Sequence, residues 1–262
     1  MSDDILLAVE DGVATITLNR PEKRNAFTNE MLFRWIEMLD ECQENTEVKA
    51  IVITGAGSGF CAGGDIGRME EKAARGPLGA KNDLWEITQA LPRKMNEVDK
   101  PLIAAVNGAA AGGGLDVALM CDIRLASSTA MFAQTYAKLG LFPGAGGAYY
   151  LPRLIGAAKA LELFWTSRFI GAAEALEMGL VNHVYPEAEF RDRVREFVAG
   201  IAAAAPLSTR YIKRALYQGL ETDLLTHLDQ ASSHMAMIRT SQDHLEAVAA
   251  FREKRKPVFK GE

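Results

Sequence analysis

Two glycine-rich stretches contain the residues of this chain whose types and spacing could do chemistry. Residues 59–65 read GFCAGGD, and residues 107–116 read NGAAAGGGLD. Glycine lets a backbone N–H approach a ligand with no side chain in the way, and two such groups from separate loops can form an oxyanion hole. The amides of Gly64 and Gly113 are the candidate donors. The two stretches therefore predict a site that stabilises negative charge on a carbonyl oxygen.

Asp116 is the candidate acid or base beside that oxygen. It lies three residues after Gly113, in the first turn of a predicted helix, and could remove a proton from the carbon next to the carbonyl. Burial would raise its pKa, whereas the helix N-terminus would lower it, and the sequence leaves this balance open. Two plainer interpretations also stay open. Residues 112–114 could simply allow close helix packing, and Asp116 could be a first-turn residue favoured by the helix dipole.

The remaining acids and imidazoles fit structural roles better than catalytic ones. Asp65 follows the first glycine stretch and is interpreted as a helix N-cap, and Asp122 as a hydrogen-bonding residue of the core. The histidines show no metal-ligand spacing, so we expect no metal site; they are His183, His227, His234 and His244. Neither glycine stretch fits a phosphate-binding P-loop or the Gly-x-Gly-x-x-Gly fingerprint of dinucleotide binding.

Strands and helices must position these residues. Each glycine stretch follows a short apolar run, at 50–55 and 102–106, and leads into a predicted helix. Asp11-Gly12 between two apolar runs predicts a β-hairpin. The polar residues 69–82 are interpreted as a mobile lid or loop, and a helix over 84–97 should be kinked or split by Pro92. After residue 144 helices dominate, and those beyond residue 200 form an all-helical extension.

The composition describes an acidic chain that is long enough for a substantial core. It has 262 residues, 48% of them hydrophobic, and a net charge of −5, with an isoelectric point near 5.5. This charge argues against a nucleic-acid or polybasic membrane-binding surface. Three widely spaced cysteines indicate reduced thiols rather than a disulfide framework. Since no signal peptide or membrane-spanning stretch is predicted, the cytoplasm is the expected location.

The combination of motifs resembles the crotonase (enoyl-CoA hydratase/isomerase) superfamily over nearly the whole chain. The matching segments are residues 19–26, 60–65, 105–122, 139–147, 171–181 and 251–255. The resemblance implies an α/β fold, a crotonase-like spiral of ββα units with a C-terminal helical trimerisation region. We expect residues 1–200 to form the catalytic core and 201–262 the oligomerisation region. The implied ligand is a CoA thioester bound as substrate, with no other cofactor, and the implied assembly is a homotrimer or homohexamer.

The resemblance also assigns roles to individual residues. It makes Gly64 and Gly113 the oxyanion donors, as the glycine pattern does independently. It implies CoA contacts, with the two cations near the phosphates, at Lys23, Arg24, Ala26, Ala62, Gly64 and Ile66. The basic tail 254–260 could complete a neighbouring subunit's CoA site or be an ordinary solvated charge run.

The chain departs from the family's hydratase pattern at one of two glutamates. One glutamate position holds Asp116, which keeps a carboxylate, and the other holds Tyr136, which does not. Hydration needs one group to activate water and another to manage the α-proton, whereas a single base can shift a double bond. The resemblance therefore favours a Δ3-Δ2-enoyl-CoA isomerase. Some family isomerases place an acid where Gly144 stands, and this acid is missing too.

Other functions and roles remain open on the sequence alone. The chain could be a hydratase that uses Asp116 and a water held by Tyr136 or Glu86. It could catalyse another enolate reaction, such as decarboxylation, or bind an acyl-CoA without catalysis. The Tyr136 hydroxyl could orient substrate, or its ring could merely line the acyl pocket, whose walls we expect from residues 69–91 and Phe142.

Overall fold

A computed structural model describes residues 3–65, 67 and 75–262. In this part of the chain the strands form a six-stranded and a four-stranded sheet. In chain order, the strands are β1 Ile5–Glu10, β2 Val13–Leu18, β3 Ala50–Gly55, β4 Gly59–Cys61, β5 Leu102–Val106, β6 Ala109–Ala111, β7 Ile123–Ser127, β8 Met131–Ala133, β9 Ile170–Gly171 and β10 His183–Tyr185.

Helices connect these strands and then make up most of the C-terminal third. They are α1 Asn29–Glu44, α2 Gly76–Asp83, α3 Ala90–Glu97, α4 Gly113–Met120, α5 Gly147–Ile155, α6 Ala157–Thr166, α7 Ala172–Glu177, α8 Phe190–Ala202, α9 Pro206–Gly219, α10 Leu224–Arg239 and α11 Gln242–Glu253. A π-helical segment, Leu84–Thr88, joins α2 to the turn before α3. No helix within the described ranges is long and apolar enough to cross a membrane.

The predicted hairpin is confirmed. Strands β1 and β2 pair in antiparallel fashion with Glu10 opposite Val13. Asp11 and Gly12 both have positive φ, 50° and 78°, which is the backbone that two-residue hairpin turns of type I′ require. The turn therefore sets the register, and alternate residues of β2 face the core.

The larger sheet is buried on both faces in its centre. Its order is β1-β2-β3-β5-β7-β10, and every pair except β1–β2 is parallel. Along β3, Ile51 and Ile53 face the main core, whereas Ala50 and Val52 face α8. This alternation follows from the two-residue period of a strand. Parallel sheets need such cover on both sides, so the long strands are rigid supports for the loops that follow them.

The smaller sheet carries the glycine stretches. Strands β4, β6 and β8 follow β3, β5 and β7 after short connections and pair in parallel. The recurrence of a long strand, a short strand and then a helix gives the mixed α/β architecture that the sequence predicted. Strands β4, β6 and β9 were not predicted, because runs of two or three residues carry too little periodicity.

The segment before β5 differs from the sequence prediction. Residues 76–83 are helical, so the prediction of a loop over 69–82 is wrong there, while residues 69–74 lie outside the described residues. Pro77 lies in the first turn of α2, where a missing N–H costs nothing. The predicted break near Pro92 is confirmed, since a π-helical segment ends at Thr88 and α3 begins at Ala90.

Polar contacts join α9 to Asp99, just before β5, and to Asp122, just before β7. Arg210 forms two hydrogen bonds with Asp99, at 2.8 and 2.9 Å. Lys213 lies 2.8 Å from Asp122, whose other oxygen accepts a bond from Tyr217. Asp122 also accepts the Leu102 N–H at 2.7 Å, which agrees with its predicted structural role. The boundary at residue 200 stays a prediction.

Candidate active site

The two glycine stretches meet because β4 and β6 pair side by side. A Cβ added at Gly63 would lie 3.0 Å from the Gly113 nitrogen, and one at Gly113 would lie 3.4 Å from the Gly63 Cα. A Cβ at Gly114 would lie 2.0 Å from the Cys61 carbonyl oxygen. The packing interpretation is therefore correct for Gly114. The contact between Gly63 and Gly113 brings the two candidate loops into one site.

The Gly64 amide points away from the strand that holds it. Phe27 donates its N–H to the Gly63 carbonyl, and Asp65 donates its N–H to the Phe27 carbonyl, both at 2.9 Å. This is a parallel bridge between Phe27 and Gly64. In such a bridge the N–H of the central residue faces the opposite side. Among the described residues the Gly64 amide has no acceptor, so it is available to a ligand.

The Gly113 amide is available for a different reason. Gly113 is the first residue of α4, and Gly112 precedes it with φ +52°. The first N–H groups of a helix have no intrahelical acceptor and carry the positive end of the helix dipole. The first helical bond donated in α4 comes from the Asp116 N–H to the Gly112 carbonyl, at 3.0 Å. The helix therefore begins at the second candidate donor.

Asp116, three residues after Gly113 on α4, is fully buried and accepts hydrogen bonds on both oxygens. Its relative exposure is 0%. The Tyr136 hydroxyl donates to Oδ2 at 2.6 Å, and the Gln134 side-chain nitrogen donates to Oδ1 at 2.9 Å. A Cβ at Gly147 would lie 2.1 Å from Oδ1, so only glycine fits at the start of α5. Because all these contacts come from donors, they match an ionised carboxylate.

Burial outweighs these hydrogen bonds in setting the pKa of Asp116. Burial raises the pKa of this carboxyl to about 6, while the bonds from Tyr136, Gln134 and Gly147 act to lower it. A base works best when its pKa lies near the operating pH, and perturbed values of this kind are typical of functional sites. Burial, and next the Asp116 charge, raise the pKa of the Tyr136 phenol. Tyr136 is therefore a proton donor at neutral pH.

The segment before Phe27 is tied to the first glycine stretch. The Ala62 N–H donates to the Arg24 carbonyl at 2.9 Å, and Arg20 bonds both the Ala26 carbonyl and Asp65. Asp65 also accepts the Gly67 N–H at 2.9 Å, while most of the residues that it was predicted to cap lie outside the described ranges. Lys23 and Arg24 are exposed on this turn. Ile66, predicted to contact CoA, lies outside the described residues.

Comparisons with known proteins identify the family. The sequence model described as enoyl-CoA hydratase/isomerase matches residues 8–262. A Bacillus subtilis protein named as an enoyl-CoA hydratase/isomerase is 39% identical over 100% of both chains. The 1,2-epoxyphenylacetyl-CoA isomerase of Escherichia coli is 35% identical over 100% of both chains. The crystal structure of a Bacillus anthracis enoyl-CoA hydratase has a TM-score of 0.92 at 34% identity, covering 99% of this chain and 100% of that one.

The chain belongs to the enoyl-CoA hydratase/isomerase family, or crotonase superfamily. It is therefore an acyl-CoA enzyme with the predicted fold class. The names of its relatives include both hydratases and isomerases, so membership leaves the reaction open. The choice depends on the residues around Asp116.

The sequence suggested two other positions for a second carboxylate near Asp116, Gly144 and Glu86. A Cβ at Gly144 would lie 2.9 Å from a methyl carbon of Leu84, so an acid at this position would have to displace Leu84. Glu86 is exposed in the π-helical segment, and no hydrogen bond between described residues joins it to Asp116 or Tyr136. Neither position supplies a second carboxylate to the buried pair.

Sequence reasoning missed the residues that hold the site together. Gln134 was not singled out, although a polar residue directly after the apolar run of β8 was a usable signal. Arg20 and the fully buried Asn25, which donates to the Ala56 and Gly59 carbonyls, were only parts of a matching motif. Gly147 has its role because it is close in space to Asp116, which no local pattern reveals.

Proposed function

We propose that this protein is an enoyl-CoA isomerase that moves a double bond from C3 to C2 of an acyl-CoA thioester. The observation that carries the proposal is the pair of Asp116 and Tyr136. It contains one carboxylate, with a pKa raised to about 6, and a tyrosine where hydratases of the family have their second glutamate. A double-bond shift needs one proton-transfer group, because the proton that leaves C2 can return at C4.

In this mechanism the backbone half of the site stabilises the dienolate. Loss of the C2 proton places negative charge on the thioester oxygen. The Gly64 and Gly113 N–H groups donate to that oxygen, and the N-terminus of α4 adds its positive end. One such donor is worth about 3–4 kcal/mol of transition-state stabilisation. The acceptor-free amides and the contact between the two glycine stretches support this assignment.

The Tyr136 hydroxyl carries the proton between substrate and Asp116. Asp116 itself has no exposed surface, whereas Tyr136 lines a cavity and donates to Oδ2. As the hydroxyl takes the C2 proton it gives its own proton to Oδ2, so no free phenolate forms. The reverse transfer delivers a proton to C4. Charge moves from the carboxylate to the thioester oxygen and back.

The same proposal includes CoA binding and self-assembly. Lys23 and Arg24 bind CoA phosphates, and Ala26, Ala62, Gly64 and Ile66 contact the rest of the CoA group.

Exposed apolar side chains on α9 and α10, among them Ile212, Leu216 and Leu225, are buried between subunits of a trimer or hexamer. Equilibrium sedimentation tests this assembly, and a monomer at micromolar concentration would contradict it. The cytoplasm remains the expected location.

Two substrates separate isomerase from hydratase. Incubation with a 3-enoyl-CoA should produce the absorbance of the conjugated thioester, whereas a hydratase would remove that absorbance from a 2-enoyl-CoA. We expect fast conversion of the 3-enoyl-CoA and little hydration of the 2-enoyl-CoA. Rapid hydration with no double-bond shift would overturn the proposal in favour of a hydratase. Binding of both thioesters without either reaction would point to other enolate chemistry or to a binding protein.

A further inference from the structure

An apolar cavity borders Tyr136, whose hydroxyl donates to Asp116. It has a volume of about 260 Å³. It is lined by Tyr136, Ala137, Leu141, Phe142, Pro143, Ala148, Leu161, Phe164 and Trp165. Tyr136 thus belongs both to the hydrogen-bonded pair with Asp116 and to the cavity wall. Among the described lining residues, Tyr136 is the one that also bonds Asp116.

The lining is apolar and rich in aromatic rings. The described residues that line it include no charged side chain. Two of its aromatic side chains are largely exposed: Trp165 is 73% and Phe142 is 75% exposed. Large apolar side chains gathered around a cavity mark a binding surface. Aromatic rings add attraction for another ring beyond the area that they bury.

The size of the cavity limits what it can hold. Apolar cavities of about 150 Å³ bind benzene, whereas sites for whole drug-sized ligands span about 300–1,000 Å³. A cavity of about 260 Å³ therefore accepts an acyl tail or a single ring. It is too small for a complete CoA thioester or for a helix of another protein.

We propose that this cavity holds the distal part of the acyl group and selects uncharged alkyl or aryl acyl-CoA thioesters over acyl groups that end in a carboxylate. The inference rests on the proposed function, because it assumes that the reacting carbons lie near Tyr136. An ω-carboxylate placed here would lose contact with water, and no described residue of the lining carries a cation to pair with it, which is unfavourable. An alkyl or aryl end loses only its contact with water.

Matched substrates test the selection directly. Wild-type enzyme should convert an eight-carbon 3-enoyl-CoA with a higher kcat/KM than a four-carbon one, by about fourfold for each CH₂ that becomes buried. The eight-carbon thioester with an ω-carboxylate should be at least about 100-fold poorer than its ω-methyl counterpart. Equal turnover of the two eight-carbon thioesters would overturn the inference.

A charge placed in the lining should change the selection. Leu161 on α6 is 43% exposed, so Leu161→Lys can fold with its stem on the surface. This variant should lose about tenfold in kcat/KM on the ω-methyl substrate and gain about tenfold on the ω-carboxylate substrate. The ratio of kcat/KM between the two eight-carbon substrates is the readout, because an effect of the new charge on Tyr136 itself would act on both. Leu176→Lys is the matched control, because Leu176 is 45% exposed and lies outside the lining.

Binding separates failure of this inference from failure of the proposed function. If no 3-enoyl-CoA is isomerised, the isomerase proposal fails, and calorimetry with saturated octanoyl-CoA and its ω-carboxylate analogue still tests the cavity. Tighter binding of octanoyl-CoA, with the preference reversed in Leu161→Lys, would sustain the inference. Affinity that does not depend on chain length or end group would overturn it, as expected if a second copy of the chain covers the cavity.

Discussion

The two halves of the candidate site are constructed in different ways. The oxyanion half consists of backbone, and glycine is required wherever the chains touch, as at Gly63 and Gly114. The proton-transfer half consists of side chains, with Asp116 held by Tyr136 and Gln134. The backbone half depends on strand pairing, and side chains at Gly63 or Gly114 would crowd backbone atoms of the neighbouring segment. We expect single conservative substitutions in the side-chain half to leave the backbone in place.

This difference explains how one fold supports several reactions of acyl-CoA thioesters. An oxyanion hole lowers the energy of any enolate at the thioester, whatever happens to it next. The side chains beside it decide where the proton goes. In this chain a tyrosine donates a hydrogen bond to the buried aspartate, so variants that act on each half separately can test the proposed division.

The largest effect should come from the carboxylate. Asp116→Asn keeps the shape but removes the base, and should lower kcat/KM for a 3-enoyl-CoA by about 10³–10⁴-fold. Absorbance of the conjugated product measures it. Asp122→Asn is the control, because Asp122 bonds the Leu102 N–H and Tyr217 instead. It should lower the free energy of unfolding by about 1–3 kcal/mol with kcat retained. Full activity of Asp116→Asn would contradict the assignment.

Tyr136→Phe should cause nearly as large a loss, about 10²–10³-fold in kcat. If the hydroxyl and the carboxylate move one proton together, removing both should cost hardly more than removing Asp116 alone. The double variant and both single variants, assayed side by side, give this coupling. Tyr150→Phe is the control for loss of a phenol that packs on the core. Strictly additive losses would mean that Tyr136 only shapes the cavity.

The backbone half should respond to loss of an N–H and not to added bulk at Gly64. A Cβ there would meet only Phe27, at 3.6 Å, so Gly64→Ala should keep most of the activity. Gly64→Pro removes the donor and should lower kcat by about 10²–10³-fold. Circular dichroism and thermal melting check that both variants fold. Similar activity of the two would exclude this amide as a donor.

The pH dependence should follow the ionisation of Asp116. The carboxyl must be ionised to accept a proton, and burial raises its pKa to about 6. The kcat/KM should therefore fall about tenfold per pH unit below pH 6 and level off above it. Gln134→Leu removes a bond that lowers this pKa, so its profile should shift to higher pH. An unchanged profile in Gln134→Leu would assign the titration to another group.

The smallest effects should come from the exposed cations. Lys23→Gln and Arg24→Gln should each raise KM by about two- to tenfold at low salt, with kcat unchanged. The difference from wild type should shrink at high ionic strength, because surface charges are screened. Lys159→Gln, another exposed lysine, should leave KM unaltered. Equal KM values for all variants would show that CoA binds elsewhere.

Sequence patterns predicted the elements with strong local signals and missed those fixed by distant contacts. The hairpin at Asp11-Gly12 and the central strands follow from turn chemistry and apolar runs. The helix over 76–83 was missed because Gly76-Pro77 suggests a loop, although proline suits a first helical turn. In the candidate site, sequence spacing singled out Gly64, Gly113 and Asp116, whose catalytic roles stay predictions. The Tyr136–Asp116 bond was not predicted, because it joins residues 20 apart through the packing of a helix and a loop.

Transfer of deuterium within the substrate tests the central claim most directly. A 3-enoyl-CoA labelled with deuterium at C2 is converted in ordinary water, and mass spectrometry with NMR locates the label in the 2-enoyl-CoA product. If one proton-transfer group serves both carbons, wild-type enzyme should deliver part of the label to C4, and Asp116→Asn should form almost no product. Product formed at the wild-type rate by Asp116→Asn, with the same label at C4, would contradict the account.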